Sequence, residues 1–260
     1  MTIKKTMQAI LFIWIALSFS NSAFANNKPN IVLMMTDDQG YGDIGKNGNP
    51  YLKTPNIERI ASQGLEMSTF LTYPNCSPTR AALLTGRYPY RTGVTAVTQV
   101  DHFMRGSELT FPEILVQQGY KTGIFGKWHL GDNHPMRATD QGFQEALVHK
   151  GGGLGQAAGP AGNTYFDPVL EHNDSSKKYS GYVDDIFTEA AMDFMQDNKE
   201  QPFLMYLATN LPHLPLQVPD KLAEPYRKLG LHEDNALVYG MIDSIDYNVG
   251  RVLDKLKSLG

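Results

Sequence analysis

The chain has 260 residues, of which 42% are hydrophobic and 19% are charged, and its formal net charge is −4. This is the balance of an ordinary globular protein, and the length suits one large domain or two small ones. It gives no support for a nucleic-acid partner or a polybasic membrane surface, because both need an excess of lysine and arginine. The 24 glycines and 15 prolines indicate a loop-rich fold.

Residues 1–25 have the pattern of a secretory signal peptide. They begin with basic residues, continue with a short apolar run over 9–19, and end with the small residues Ala23 and Ala25 at the cleavage position. The run is shorter than the roughly 20 apolar residues of a membrane-spanning helix. We therefore expect a mature domain over 26–260 that is periplasmic or secreted, without membrane attachment after cleavage. An uncleaved anchor is the alternative.

Residues 30–36 form a continuous apolar run, which predicts a central strand covered on both faces. Asp37 and Asp38 follow it, and ligands of open α/β sheets bind at the carboxyl ends of strands. Adjacent carboxylates repel each other, and a cation between them relieves the repulsion. Oxygen ligands suit Ca²⁺ or Mg²⁺. A solvated turn is the alternative, because Asp and Gly are common in turns.

Cys76 is the only cysteine, so it has no disulfide partner within the chain. In a secreted chain this indicates a reactive thiol or intermolecular pairing. A small buried hydrophobic residue is the alternative. Ser77 is predicted to cap a helix with Pro78 in its first turn and Gly86 at its end. Cys76 would then lie just before a helix N-terminus, where free N–H groups favour an anion, with Arg80 projecting toward the same place.

The rest of the chain alternates between predicted helices and strands. Apolar residues at helical spacing predict helices, and short continuous apolar runs predict strands. In chain order the sequence predicts a helix over 54–64, a strand over 65–73 that leads into Cys76, a helix over 109–118, a strand over 121–125, a helix over 183–195, a strand over 202–208 and a helix over 236–256. This order indicates an α/β fold with a largely parallel sheet.

Residues suited to an oxyanion and a proton follow two of these strands. Lys127 and His129 point the same way in an extended chain, where lysine supplies fixed charge and histidine titrates near neutrality. His213 lies beyond the strand over 202–208, in a loop whose prolines restrict the backbone. The alternatives are a surface lysine beside a satisfied histidine, and a structural loop histidine.

Several of these stretches, in order, resemble the type I sulfatases. The strongest similarities are Cys76-Ser77-Pro78-Thr79-Arg80 with Leu84-Thr85-Gly86-Arg87, then Gly126-Lys127-Trp128-His129-Leu130-Gly131, and Pro212-His213-Leu214-Pro215. The resemblance covers residues 30–260. It implies an alkaline-phosphatase-like α/β sandwich that hydrolyses a sulfate ester, carried by a small molecule or a glycan, to an alcohol and sulfate.

In that family the cysteine of the Cys-x-Pro-x-Arg motif is oxidised to formylglycine by a formylglycine-generating enzyme. The resemblance implies the same for Cys76, whose hydrated aldehyde would supply the nucleophile. Asp37, Asp38 and the modified Cys76 would bind Ca²⁺ or, alternatively, Mg²⁺. Arg80 would stabilise the hydrated aldehyde.

The resemblance also implies roles for the residues that follow. Lys127 would contact the nucleophile and the sulfate, and His129 would take the proton of the second hydroxyl. His213 would hold the sulfate and protonate the leaving oxygen. Sulfatases then continue with a strand that ends in Asp-Asn-Gly, which supplies two more metal ligands, and with a further lysine. The sequence ends at Gly260 before either, so we expect an incomplete catalytic domain with poor metal binding and impaired turnover.

Two other functions remain open at this point. A phosphodiesterase or phosphomutase of the same superfold would also place acids at strand ends, but it usually uses an unmodified Thr or Ser as nucleophile. A non-catalytic remnant would bind a sulfated ligand or glycan without releasing a product.

Overall fold

The structure is a computed structural model that describes residues 28–98 and 101–260, so the expected signal peptide lies outside the described residues. The chain divides into two compact units, Met1–Asn30 and Ile31–Gly260, and every element named below belongs to the second. Within the described ranges, no helix combines the length and the apolarity needed to span a membrane.

The described strands form one six-stranded sheet in the order β1-β6-β2-β3-β4-β5. They are β1 (Ile31–Met35), β2 (Lys121–Lys127), β3 (Glu145–His149), β4 (Val169–His172), β5 (Ser175–Lys178) and β6 (Phe203–Ala208). The pairs β1–β6, β6–β2 and β2–β3 are parallel, whereas β3–β4 and β4–β5 are antiparallel. The carboxyl ends of the parallel strands therefore meet at one edge of the sheet.

Helices cover both faces of this sheet. They are α1 (Pro55–Gln63), α2 (Cys76–Thr85), α3 (Pro89–Thr92), α4 (Phe111–Gln117), α5 (Val183–Asp197), α6 (Asp220–Lys228) and α7 (Glu233–Leu259). Side chains alternate between the two faces of a strand. In β2, Phe125 joins the core formed with α5 and α7, while Ile124 joins the core formed with α2. The predicted α/β fold with a largely parallel sheet is confirmed.

Most of the predicted elements are present, with ends that differ by a few residues. Helical periodicity predicted α1, α4, α5 and α7, and apolar runs predicted β1, β2 and β6. The helix α7 extends beyond its prediction at both ends, and β2 continues to Lys127. At α4, Thr110 accepts a hydrogen bond from the backbone of Glu113, whose side chain bonds back to the Thr110 backbone. This reciprocal cap sets the start of that helix.

Two strand predictions are wrong. Residues 65–73 form no strand, and Leu65 and Leu71 are 90% and 88% exposed. Alternation of apolar and polar residues favours a strand only where a neighbouring strand can pair with it, which the sequence does not reveal. Likewise β1 is not central, because among the described strands it pairs with β6 alone, and its side chains are only half-buried.

Gly126 allows β2 and β6 to approach each other closely. Its φ is +125°, and a Cβ at this position would lie 1.9 Å from the carbonyl oxygen of Ala208, its partner in the register. Only glycine combines this backbone conformation with this separation. Because Lys127 is the next residue and the last of β2, the contact fixes the point at which the chain leaves the sheet.

Candidate active site

The sequence-predicted site residues come together at the carboxyl edge of the sheet. Asp37 follows β1, Lys127 ends β2, His213 follows β6, and Cys76 begins α2. A cavity of about 620 Å³ opens beside them, between β1 and the segment that leads into α2. Among its lining residues are Asp37, Asp38, Cys76 and Arg80.

Cys76 is the first residue of α2, and the helix cap is Asn75, whose side chain makes no capping hydrogen bond. The prediction that Ser77 is the cap is therefore wrong. Ser77 lies inside the first turn and is fully buried, and its hydroxyl accepts a hydrogen bond from the backbone N–H of Thr98 at 3.0 Å. The predicted end at Gly86 is confirmed, with a left-handed φ of 64°.

Arg80, Asp37 and Lys127 form a buried ionic triad. Lys127 Nζ lies 2.5 Å from Asp37 Oδ2, and Arg80 Nη2 lies 3.3 Å from Asp37 Oδ1. Arg80 also donates from Nη1 to the carbonyl oxygen of Lys127 at 2.8 Å. All three side chains are almost completely buried. One carboxylate is thus shared by two cations, which leaves one positive charge in excess beside Cys76.

Burial and charge act against each other in this triad. Burial by itself would raise the pKa of Asp37, but the cations of Arg80 and Lys127 outweigh it and hold that pKa below its usual value. Burial lowers the pKa of Lys127, although its attraction to Asp37 opposes the change. The contact between the two charges opposes the cost of burying them.

His129 is placed by a turn rather than by strand alternation. The strand β2 ends at Lys127, and His129 has a φ of 61°. Its Nδ1 lies 3.3 Å from Cys76 Sγ, and its Nε2 lies 2.8 Å from the carbonyl oxygen of Thr98. Burial, followed by the charge of Lys127, lowers the pKa of His129 to about 3, so the ring is neutral at pH 7.

These contacts define the tautomer of His129. A carbonyl oxygen only accepts hydrogen bonds, so the proton of the neutral ring sits on Nε2, facing Thr98. The lone pair of Nδ1 then faces Cys76 Sγ. His129 is therefore a neutral base aimed at residue 76.

His213 lies beside Asp38. Its Nδ1 lies 2.6 Å from the carbonyl oxygen of Leu214, and its own carbonyl accepts a hydrogen bond from the Tyr165 hydroxyl at 2.8 Å. Its Nε2 lies 3.7 Å from Asp38 Oδ2. Asp38 is 65% exposed at its side chain and has a φ of 67°. These loop contacts hold His213 beside Asp38.

Asp37 and Asp38 would supply only part of the shell of a Ca²⁺ ion. They are donors of the kind that Ca²⁺ prefers, but this ion takes roughly 6–8 oxygen ligands. The two oxygens of Asp37 already face Lys127 and Arg80. Over residues 28–98 and 101–260, no group of three or more His, Cys, Asp or Glu residues is arranged to hold a metal. The residues present therefore do not complete a coordination shell.

His149 is a neighbour of the site to which the sequence assigned no role. It ends β3, pairs in register with Lys127, and is 1% exposed. Its Nδ1 lies 3.2 Å from the Lys150 carbonyl, while its buried Nε2 has no hydrogen-bond partner in the described chain. Burial, then the charge of Lys127, lowers its pKa to about 3. Its position after an apolar run was the available signal.

Comparison with known proteins places this geometry in a family. The sequence model of the sulfatase family matches residues 29–260. The chain is 32% identical to N-acetylgalactosamine-6-sulfatase of Mus musculus over 92% of its own length and 49% of that protein. It is 34% identical to arylsulfatase G of Homo sapiens over 85% of its length and 49% of that protein. The chain thus spans about half the length of these curated relatives.

Solved structures agree on the fold. The crystal structure of Ps i-CgsB, 30% identical, superposes with a TM-score of 0.79 over 90% of this chain and 56% of that one. A phosphonate monoester hydrolase of Agrobacterium radiobacter, 18% identical, shares the fold at a TM-score of 0.61 over 90% of this chain and 60% of its own. The expected alkaline-phosphatase-like architecture is confirmed, and the chain belongs to the sulfatase family.

Proposed function

We propose that this chain carries the nucleophile and proton-transfer residues of a sulfuric ester hydrolase, with Cys76 converted to formylglycine by a formylglycine-generating enzyme. The proposal places residues 26–260 in the sulfatase catalytic domain and residues 1–25 in a signal peptide, so the protein would act in the periplasm or outside the cell. Support comes from family membership and from the grouping of Cys76, Arg80, Lys127 and His129 at one sheet edge.

Formylglycine would supply a hydrated aldehyde, one hydroxyl of which attacks the sulfur while the other gives up its proton to release sulfate. The observation that carries the proposal is the 3.3 Å separation between Cys76 Sγ and His129 Nδ1. Sγ occupies the place of the hydroxyls, and the unprotonated Nδ1 faces it. His129 is therefore positioned to take the proton that must leave when sulfate departs.

The cations of the site would bind the sulfate. Lys127 and Arg80 bring two positive charges against the single charge of Asp37, and the N-terminus of α2 adds its free N–H groups. This arrangement favours an anion beside residue 76. His213, oriented by Leu214 and Tyr165, would hold the sulfate and protonate the leaving oxygen.

A divalent cation is also part of the proposal. Asp37, Asp38 and the modified Cys76 would hold Ca²⁺ or Mg²⁺ once further oxygen ligands are supplied. Because these residues fill only part of the shell of roughly 6–8 ligands, we expect the chain of residues 1–260 to bind Ca²⁺ weakly and to turn over slowly. Calorimetric titration with Ca²⁺ measures this directly, and tight binding would contradict it.

The substrate class follows from the relatives. One is named for the 6-sulfate of N-acetylgalactosamine, and the structure of Ps i-CgsB has also been determined in complex with k-i-k-neocarrahexaose. We therefore propose that a sulfated sugar is the substrate, with aryl sulfates as simpler surrogates.

The test combines modification with turnover. The chain is co-expressed with a formylglycine-generating enzyme, and the peptide that contains Cys76 is weighed; conversion makes it about 18 Da lighter. Sulfate release from an aryl sulfate and from a 6-sulfated N-acetylgalactosamine is then compared with hydrolysis of a phosphate diester. Sulfate release only by the converted protein supports the proposal. Preferential phosphate-diester hydrolysis, or binding of the sulfated sugar without release, contradicts it.

A further inference from the structure

Ser77, the residue next to Cys76, is linked through Thr98 to His129. It stands between Cys76 and Pro78, inside the first turn of α2, and is completely buried. A helix of this length needs no hydroxyl at that position, and Ser77 makes no cap. Its oxygen instead accepts a hydrogen bond from the backbone N–H of Thr98 at 3.0 Å.

Thr98 is held at more than one point. Besides its N–H, its hydroxyl donates to the carbonyl oxygen of His102 at 3.0 Å, and the residue is 4% exposed. Its carbonyl oxygen accepts from His129 Nε2 at 2.8 Å. Thr98 is therefore hydrogen-bonded to Ser77 through its N–H and to His129 through its carbonyl oxygen.

A second contact fixes the plane of the His129 ring. A Cβ at Gly152 would lie 2.9 Å from both Cε1 and Nε2 of His129, so the glycine backbone packs directly against that edge of the ring. With Gly152 on one edge and the Thr98 carbonyl on Nε2, Nδ1 is left facing Cys76.

We propose that Ser77 is a positioning residue which, through Thr98, holds His129 in the Nε2–H tautomer with Nδ1 aimed at residue 76. Without the Ser77 hydroxyl, the buried N–H of Thr98 would have no acceptor there. Thr98 would shift to find one, and its carbonyl, joined to that N–H through the Thr98 Cα, would be displaced from His129 Nε2. The hydroxyl of Ser77 thus determines the tautomer and the orientation of the His129 ring. This inference rests on the proposed function in that His129 is the base.

Two variants and a matched control test it on the purified full chain with Cys76 unmodified. Ser77→Ala removes the hydroxyl, and Ser77→Thr keeps it. Thr122→Val is the control, because the buried Thr122 hydroxyl also accepts a backbone N–H, that of Gln144 at 3.1 Å, at the start of β2. The readouts are the ¹⁵N chemical shifts of the His129 ring, which report its tautomer, and the rate of Cys76 alkylation by iodoacetamide at one fixed pH.

We expect the wild type, Ser77→Thr and Thr122→Val to show the Nε2–H tautomer and equal alkylation rates. Ser77→Ala should show mixed tautomers and alkylation about fivefold slower, because the Cys76 thiol no longer donates a hydrogen bond to Nδ1. Unchanged shifts and rate in Ser77→Ala would overturn the inference. A wild-type His129 ring protonated on Nδ1 would also overturn it. So would a wild-type Thr98 amide that exchanges with solvent as fast as an amide without a hydrogen bond. Both measurements use the wild type and do not depend on whether Ser77→Ala folds.

These readouts need neither formylglycine nor a sulfate ester. A chain that shows the expected tautomers but releases no sulfate after conversion would contradict the proposed function alone. A chain that releases sulfate while Ser77→Ala keeps the wild-type tautomer would contradict only the role of Ser77.

Discussion

The two sides of the site around Cys76 differ in how they are held. On the side of β2 and β3, Lys127, His129 and His149 are buried and at most 1% exposed. On the side of β1, Asp38 is 65% exposed at its side chain, and the nearby segment over 65–73 forms no strand. The first side lies at β2 and β3, each of which pairs with a strand on both flanks. The second side lies at β1, which among the described strands pairs with β6 alone.

This difference separates two tasks. Proton transfer and anion binding need fixed distances and a water-poor environment, and the β2–β3 side provides both. Metal binding needs many oxygen ligands, and the β1 side offers two carboxylates in the described residues. The chemistry of residue 76 is therefore organised by the sheet interior. Under the proposed function, the β1 side would supply two carboxylates toward a metal site.

The largest expected effect is on the nucleophile itself. The variant Cys76→Ser would offer one hydroxyl at residue 76, whereas the formylglycine hydrate of the converted wild type would offer two. Without the second hydroxyl, the sulfate would have no route off the enzyme. We expect sulfate turnover to fall by at least about 1000-fold and the intact protein to become about 80 Da heavier after one reaction. Thr122→Val should keep its turnover. Sustained turnover by Cys76→Ser would show that residue 76 is not the nucleophile.

The buried triad should give the largest effect on folding. Lys127→Met leaves the Asp37 carboxylate buried with Arg80 alone, and we expect the free energy of unfolding to fall by about 3–5 kcal/mol. Adding Asp37→Asn should recover part of that loss. The control Lys150→Met, at a partly exposed lysine 3.5 Å from Glu171, should change stability by less than about 1 kcal/mol. Urea unfolding measures all of these, and equal losses at both lysines would contradict the comparison.

The buried histidines should make stability depend on pH. The pKa of His149 is about 3 in the folded chain, below the 6.5 of an ordinary histidine. The contribution of His149 to the free energy of unfolding is therefore complete above about pH 6.5. It is lost as the pH falls toward 3, because the unfolded chain binds the proton at a higher pH than the folded chain does. We expect about 2 kcal/mol to be lost per such histidine between pH 7 and pH 5.

The variant His149→Gln should flatten this pH dependence. His129, with the same direction of shift, would retain its own share. The control His232→Gln, at a histidine 74% exposed, should leave the slope unchanged. Thermal unfolding from pH 5 to pH 7 provides the measurement, and parallel curves for wild type and His149→Gln would refute the assignment.

The smallest effect is expected along the exposed segment. Phe70 is 69% exposed, so Phe70→Ala should change the free energy of unfolding by no more than about 0.5 kcal/mol. Phe143→Ala, at a ring packed against Trp128 with 1% exposure, should cost about 3–5 kcal/mol. A cost above about 2 kcal/mol at Phe70 would mean that the segment is packed in solution, and the contrast between the two sides would disappear.

The sequence predicts elements whose pattern is complete within themselves. The helix α7 shows its apolar stripe over many turns, and β6 is an uninterrupted apolar run that is buried throughout. Neither pattern indicates which helices or strands lie beside the element. The position of β1 at one side of the sheet, and the unpaired state of residues 65–73, depend on which strands lie beside them. The strand predicted over 65–73 and the central position predicted for β1 were therefore wrong.

The same limit applies to the site. Residues adjacent to long apolar runs, such as Asp37 and Lys127, could be assigned to one sheet edge from the sequence. His149 was missed because β3 is short and begins with Glu145. The partner of Ser77 lies 21 residues away, in a stretch without periodicity. Contacts of this kind are set by loop closure, which local pattern does not encode.

The close approach of Gly126 to Ala208 limits how the protein tolerates variation. Every other side chain at position 126 collides with a backbone oxygen that cannot yield, so β2 and β6 must separate. A library of variants would show structure and sulfate binding failing together at 126, although this residue carries no reactive group. The motif Gly126-Lys127 thus combines a steric requirement at Gly126 with an ionic one at Lys127.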